Sequence, residues 1–359
     1  MATQLEEWLK LTREDPIDPD MPICDPHHHL WDHPDYLAEE LVPDTHRQVR
    51  HYLLKELLED TGGGHNIEQT VFIECRSMYR KDGPQELRPV GQTEFVQGIA
   101  AQSASGQYGN TDVAAGIVGF ADLTMGSAVA PVLEAHIAAS RNRFRGIRHI
   151  TTWDANNDID SRVKTPRLLS DPKFREGFSC LHKYGLSFDA WLYHTQLMDL
   201  ADLASAFPDT PIILDHIGGP IGIGPYARRR EEVFQEWKQG IAVLSTCPNV
   251  VVKLGGLGMP LLGFGWHERP KPPSSAELAE GMAPYFRWCI DRFGPDRCMF
   301  ESNFPVDKAS YSYTVIWNAF KRISKDFSPR DRAALLHDTA VNTYRLAPMR
   351  ARIARGTRH

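Results

Sequence analysis

The sequence predicts a single-domain α/β protein with an eight-stranded (β/α)8 barrel. Three observations support this fold: the length of 359 residues, the alternation of short apolar runs with helical patterns, and the reactive side chains that end those runs. A barrel of this kind needs about 250 residues plus insertions. An open, doubly wound sheet would show the same alternation, so the number of strands does not by itself separate the two folds.

Eight short runs, rich in apolar and β-branched residues, predict the strands. Most are too continuously apolar for half-exposed strands and fit parallel strands that are covered on both faces. The runs are 23–29, 70–75, 113–120, 144–149, 186–192, 211–216, 250–254 and 298–302.

Helical patterns lie between these runs. Leucines in 49–58 recur at helical spacing and stop at the glycines 62–64, and 278–293 stops at Gly294-Pro295. A last helix begins with Ser328 as the predicted N-cap. No break in composition divides the chain, so we expect a barrel at 22–346, an N-terminal extension at 1–21 and a basic C-terminal tail at 347–359.

The composition argues against several classes of partner. The formal charge is −6, and the chain has no block of like charges, which argues against nucleic acid or an anionic membrane. No stretch approaches the roughly 20 apolar residues that cross a bilayer, and the six cysteines are scattered. These features predict a cytoplasmic protein that binds a small molecule, and they leave a homo-oligomer open.

Reactive side chains lie at the ends of the predicted strands. In a (β/α)8 barrel the chemistry occurs where the C-terminal ends of the strands meet. The residues at these ends are His27, His28, His29, Glu74, Arg76, Arg148, His149, Tyr193, His194, Asp215, His216, Glu301, Ser302 and Asn303. The pattern predicts one site at this mouth.

The first strand offers a pair of metal ligands. Alternation predicts that Asp25, His27 and His29 share one face, while His28 faces the surrounding helices. With His194 and His216 from later strands, the two inward imidazoles predict a site for a divalent ion such as zinc, iron or manganese. The alternative is a set of histidines that bond loop carbonyls and hold no metal.

The opening stretch, Asp-Pro-His-His-His-Leu-Trp-Asp at 25–32, resembles the start of amidohydrolase superfamily proteins. More narrowly, it is similar to the amidohydrolase 2 family and its lactonase-like branch, which holds sugar, muconate and pyrone dicarboxylate lactonases. Further matching markers, spread over roughly residues 22–346, lie at 116–123, 145–148, 214–218, 252–255, 293–300 and 302–305.

The resemblance implies a distorted TIM barrel that hydrolyses a small ester, lactone or amide. It places the family's first-strand histidines at His27 and His29, its sixth-strand histidine at His216 and its fifth-strand position at His194. Relatives differ in their use of metal. The resemblance therefore implies one divalent metal, with zinc favoured, and leaves metal-independent catalysis as the alternative.

One departure from the family pattern lies on the eighth strand. Where relatives have Gly-Ser-Asp-Trp-Pro, this chain has Glu301-Ser-Asn-Phe-Pro, so Asn303 replaces the expected aspartate. An amide cannot act as a general base. Glu301, two residues earlier on the same face, is the predicted replacement, with Asp307 and then Glu74 as further candidates. The alternative for Glu301 is an interior ion pair with Lys253 or Arg148.

Charged and aromatic side chains near the same mouth predict the substrate contacts. Arginine suits a carboxylate, and aromatic rings provide flat apolar walls, so we expect a small, anionic, ring-bearing substrate. The predicted contacts are Glu74, Arg76, Arg148, Trp153, Tyr193 and Trp266.

The leading interpretation is a lactonase-like hydrolase. The second is a metal-dependent decarboxylase of an aromatic acid, which the loss of the water-activating aspartate would favour. The third is a binding protein without activity, built on a degenerate barrel.

Overall fold

The computed structural model describes residues 3–34, 37, 47 and 49–347 and shows eight parallel strands in one nearly closed sheet. Each strand pairs with the next along the chain, and helices surround the sheet. The strands are β1 Pro22–His28, β2 Asn66–Ile73, β3 Asp112–Gly119, β4 Phe144–Arg148, β5 Ser187–Ala190, β6 Ile212–Leu214, β7 Val250–Leu254 and β8 Cys298–Phe300. The predicted barrel is confirmed, and each predicted run overlaps one of these strands.

The helices follow the predicted pattern with small shifts at their ends. Ser328 caps its helix by accepting a hydrogen bond from the Asp331 amide at 3.1 Å. The helix before the three glycines begins at Leu54, because His51–Tyr52 pairs instead with Trp31–Asp32 in a small antiparallel sheet. The α-helices are Gln4–Leu9, Leu54–Thr61, Val90–Ala104, Ala130–Ala139, Pro172–Lys183, Leu197–Ala206, Arg230–Leu244, Ser275–Phe293, Tyr313–Ile323, Pro329–Ala333 and Thr339–Thr343, with a π-helical turn at Ala334–Asp338.

The buried carboxylate of Asp25 stabilises the seam of the barrel, where the first strand meets the segment that follows the last one. Asp25 accepts hydrogen bonds from the Ser302 amide (3.0 Å), the Ser302 hydroxyl (2.6 Å) and the Tyr313 hydroxyl (2.9 Å). Burial raises the pKa of Asp25 to about 6, although these hydrogen bonds lower it. Nearby, the His29 amide donates to the Phe304 carbonyl at 2.8 Å.

The expectation that Asp25 shares a face with His27 is wrong. The pairing of β1 with β2 is irregular between Asp25 and His28, which shifts the alternation of side chains. As a result Asp25 reaches Tyr313 on a surrounding helix, whereas His27 points into the barrel.

Apolar residues fill the barrel interior below the histidines. Strand residues such as Cys24, Ile213 and Met299 form a cluster with Tyr344 and Leu346 from the last helical segment. A larger core lies between the strands and the outer helices. The interior is therefore closed at one end, and polar side chains gather at the other.

The N-terminal extension lies against the outside of the barrel. The Trp8 indole donates to the Arg269 carbonyl at 2.9 Å, and Glu14 accepts from the Ser275 amide at 2.7 Å. Of the predicted tail at 347–359, residues 348–359 lie outside the described residues. None of the described helices has the length and apolar character to cross a membrane. All six cysteines are described, and each is unpaired.

We expect Asp25→Ala to lower the free energy of unfolding by about 2–4 kcal/mol, because it leaves buried donors of Ser302 and Tyr313 without an acceptor. Urea unfolding followed by tryptophan fluorescence would measure the change. The control is Asp326→Ala, which removes an exposed ion pair with Arg287 and should cost less than about 1 kcal/mol. Equal effects of the two substitutions would contradict a structural role for the seam.

Candidate active site

The C-terminal mouth of the barrel holds a buried cluster of charged and imidazole side chains. Each member is on a strand or on the residues that directly follow one, so the backbone of the sheet fixes its position. The members are His27, Glu74, Arg148, Asp215, His216, Lys253 and Glu301. Six of them come from the strand ends that the sequence singled out, and Lys253 is the exception.

Glu301 joins two histidines at the centre of this cluster. Its Oε1 lies 2.6 Å from His216 Nδ1 and accepts the His216 amide at 3.1 Å, and its Oε2 lies 2.7 Å from His27 Nδ1. Burial would raise the pKa of Glu301, but the two imidazoles outweigh it and lower that pKa. Glu301 thus points into the barrel, as strand alternation predicts, and its closest partners are histidines rather than Lys253 or Arg148.

The bridging carboxylate favours one tautomer of His216, whereas the contacts of His27 do not select a tautomer. A carboxylate beside Nδ1 favours a proton there and leaves the lone pair on Nε2. On His27, Nδ1 lies 2.7 Å from Glu301 Oε2 and 3.2 Å from the Lys253 ammonium, and Nε2 lies 3.5 Å from the Arg148 guanidinium. Both cations can only donate, so each ring nitrogen faces a donor. Burial, and then Lys253, lower the pKa of His27 to about 4, so His27 is neutral at pH 7. On His216, the Glu301 carboxylate at Nδ1 leaves Nε2 as a proton acceptor.

Two glycines after β7 make room for this arrangement. A Cβ at Gly255 would lie 2.3 Å from Glu301 Cγ, and one at Gly256 would lie 2.5 Å from the His216 ring. Gly256 also has a φ of 75°, which other residues rarely adopt. His216 itself has a φ of 53°, a strained conformation of the kind that collects at functional sites.

A second set of charges lies beneath the histidines. Lys253 Nζ is 2.8 Å from Asp189 Oδ2, 3.0 Å from Asp215 Oδ1 and 3.2 Å from His27 Nδ1. The Tyr344 hydroxyl donates to Asp189. The sequence placed Asp215 at the mouth without assigning it a role, and it did not indicate Lys253 or Asp189 as site residues, although a charge inside an otherwise apolar strand was a signal for both.

Arg148 is held by its own network. Its Nε donates to Glu74 Oε1 at 3.0 Å, another guanidinium nitrogen donates to the Glu74 carbonyl, and Nη1 lies 3.7 Å from Asp215 Oδ2. Neither carboxylate oxygen of Asp215 has a well-aligned hydrogen bond. Burial would raise the pKa of Asp215, but Lys253 and His27 lower it strongly.

Three residues offer donor atoms for a metal ion. Ligand atoms of His27, Asp215 and His216 all lie within 4.8 Å of one another. His29 lies beside this group, with its ring 4.9 Å from that of His27 and its Nδ1 2.8 Å from the Ile73 carbonyl. The structure does not bring His194 to the group, because its ring packs on Tyr226 away from the other imidazoles.

Asn303 and Asp307 form a pair next to the cluster. Asn303 Nδ2 donates to Asp307 Oδ1 at 2.9 Å, and Asp307 Oδ2 accepts from the Gly258 amide and the Tyr311 hydroxyl. Burial raises the pKa of Asp307 to about 6, although these hydrogen bonds lower it. The Asp307 oxygens are thus engaged with neighbouring donors.

The other predicted substrate residues lie outside the cluster. Arg76 is exposed and Trp153 is half-buried. The Tyr193 hydroxyl donates to the Asp160 carbonyl, and Trp266 is buried and stacks on Phe264 with ring centroids 4.4 Å apart. Tyr193 and Trp266 therefore have structural partners of their own, whereas Arg76 and Trp153 are more accessible.

Comparisons with known proteins agree with this architecture. Residues 24–346 match the amidohydrolase family profile, Amidohydro_2. The chain is 33% identical over 335 residues to an uncharacterized protein, y4mH, of Sinorhizobium fredii. The aligned region covers 91% of this chain and 99% of that protein. It is 27% identical over 285 residues to L-fucono-1,5-lactonase of Burkholderia ambifaria, which covers 75% of this chain and 87% of that enzyme.

A solved structure shares the fold. An amidohydrolase from Burkholderia multivorans, crystallised with bound zinc, superposes with a TM-score of 0.66 at 23% identity, covering 90% of this chain and 99% of that chain. With a family profile matched over almost the whole barrel and a relative of 33% identity along its full length, the chain belongs to the amidohydrolase family, and it is similar to a lactonase.

Proposed function

We propose that the protein hydrolyses a small lactone to its hydroxy acid. One observation carries the proposal: Glu301 contacts Nδ1 of both His27 and His216 and leaves His216 Nε2 as a buried proton acceptor. The L-fucono-1,5-lactonase among the relatives supports a lactone as the substrate class.

The geometry suggests how water is activated without the usual aspartate. His216 Nε2 takes a proton from water while the water oxygen bonds to the ring carbonyl carbon, and Glu301 stabilises the imidazolium that forms. Arg148 favours the oxyanion that develops through its positive charge rather than through a direct hydrogen bond, because Glu74 and Asp215 already engage its guanidinium. The bond from the carbonyl carbon to the ring oxygen then breaks, and that oxygen takes the proton from Nε2.

The donor atoms of His27, Asp215 and His216 suit a divalent ion such as zinc, but the site as it stands does not fit one. Lys253 and Arg148 are cations that already lie 3.0 Å and 3.7 Å from the two oxygens of Asp215. The same two residues also face both ring nitrogens of His27. An added dication would be repelled by these charges, and no step of the proposed reaction uses one.

The charge of the substrate depends on which arginine is available. Glu74 and Asp215 occupy Arg148, so a carboxylate on the substrate would rely on the exposed Arg76. We propose that the substrate is a small lactone. It carries a negative charge, as the sequence predicts, if Arg76 contacts it.

The unpaired cysteines support a cytoplasmic location, and a homo-oligomer stays a prediction.

A panel of lactones tests the proposed reaction. We expect the protein to release acid from five- or six-membered lactones of sugar acids, followed with a pH indicator, at least about 10⁶-fold faster than the uncatalysed reaction. The panel pairs neutral lactones with lactones that carry a further carboxylate. Carbon dioxide release from hydroxybenzoates would instead favour the decarboxylase, and no turnover on either set would favour a binding protein.

The role of Glu301 is tested by Glu301→Gln. We expect kcat to fall by about 10²–10⁴-fold, because a neutral amide cannot stabilise the His216 imidazolium. The dependence of kcat on pH should also differ between Glu301→Gln and the wild type.

Asp307→Asn is the matched control, since it neutralises the other nearby carboxylate. We expect it to keep the pH profile of the wild type. If Asp307→Asn lost activity while Glu301→Gln kept it, the base would be Asp307 and the histidine assignment would be wrong.

A further inference from the structure

We propose that Lys253 is the resident cation of this site, occupying the place of a divalent metal and keeping such metals out. The inference concerns the ligand groups of His27 and Asp215 and does not depend on the identity of the substrate.

The contacts of Lys253 resemble those of a bound ion. Its ammonium group lies 2.8 Å from Asp189, 3.0 Å from Asp215 and 3.2 Å from His27 Nδ1, and the side chain is fully buried. A buried ammonium is costly unless carboxylates pair with it. Asp189 and Asp215 provide that pairing, so the lysine is held as a charged group.

The position of this ammonium conflicts with metal binding. Two of the three residues that could hold an ion, His27 and Asp215, are in direct contact with Lys253. An ion that bound both would lie within a few ångströms of Nζ, where two like charges repel strongly in a buried site. Metal binding would therefore require Lys253 to move away from its carboxylates.

The number of buried carboxylates explains why a second cation is needed beside Arg148. Four carboxylates, Glu74, Asp189, Asp215 and Glu301, are buried in or directly beneath the cluster, and Arg148 offsets part of their charge. Without Lys253, Asp189 and Asp215 would lose their closest cation. A lysine on the strand supplies this charge permanently, whereas a metal would have to be captured from solution.

Zinc binding to full-length protein stripped with a chelator tests the proposal. We expect Lys253→Met to bind one equivalent of zinc at least about tenfold more tightly than the wild type by calorimetry, because the competing charge is gone. Cobalt should give the visible spectrum of a protein-bound ion in the variant alone. Adding Asp215→Asn to Lys253→Met should remove the new site.

Lys321→Met is the matched control. Lys321 is also a buried lysine beside a histidine, 2.9 Å from His65 Nδ1, but it lies outside the cluster. We expect its zinc affinity to equal that of the wild type.

Two results would overturn the proposal. One is a folded Lys253→Met protein, judged by circular dichroism, that binds zinc no more tightly than the wild type. The other needs only the wild-type lysine: if the wild type bound one equivalent of zinc tightly and Asp215→Asn abolished that binding, Lys253 would not exclude the metal. This second measurement decides the matter even if Lys253→Met fails to fold.

Discussion

The contact between the Glu301 carboxylate and two imidazole rings is the interaction on which the site depends. A buried carboxylate is unfavourable unless charged or hydrogen-bonding groups surround it, and here His27 and His216 meet that need. In return the carboxylate orients both rings. The same demand for pairing extends downward, where Lys253 lies between Asp189 and Asp215. The barrel mouth is thus a network of charges rather than a set of independent residues.

The network also explains how the chain can lack the aspartate of its relatives. Asn303 is neutral, but the carboxylate two positions earlier, Glu301, points into the same interior because side chains alternate along a strand. From there it reaches imidazole nitrogens. Asn303 instead bonds Asp307, so it contributes to the shape of the loop. The negative charge therefore lies two residues earlier than in the family pattern, and His216 lies between this charge and the open end of the barrel.

The sequence predicted the barrel well because strand patterns are local. Eight apolar runs and their reactive ends sufficed to place His27, Arg148, His216 and Glu301 at one mouth. The choice of partners was less accessible, since it depends on side-chain directions and on irregularities such as the one that turns Asp25 outward. His194 illustrates the limit: its position after β5 suggested a ligand, but the loop conformation directs its ring to Tyr226. Lys253 was named only as a possible partner of Glu301, because its contacts with Asp189 and Asp215 depend on side-chain directions that the sequence does not show.

Because Tyr344 follows all eight strands in the chain, the charged network is completed only late in protein synthesis. This residue comes after every strand of the barrel, yet it bonds Asp189 and shares the interior with Cys24 and Met299. During translation, the charged network can reach its final arrangement only after this late segment has emerged from the ribosome and entered the barrel. A nascent chain with all eight strands complete would still lack the residues that close the bottom of the barrel, and Asp189 would lack its hydrogen bond from Tyr344. Enzymatic activity should therefore appear only after the strands have assembled.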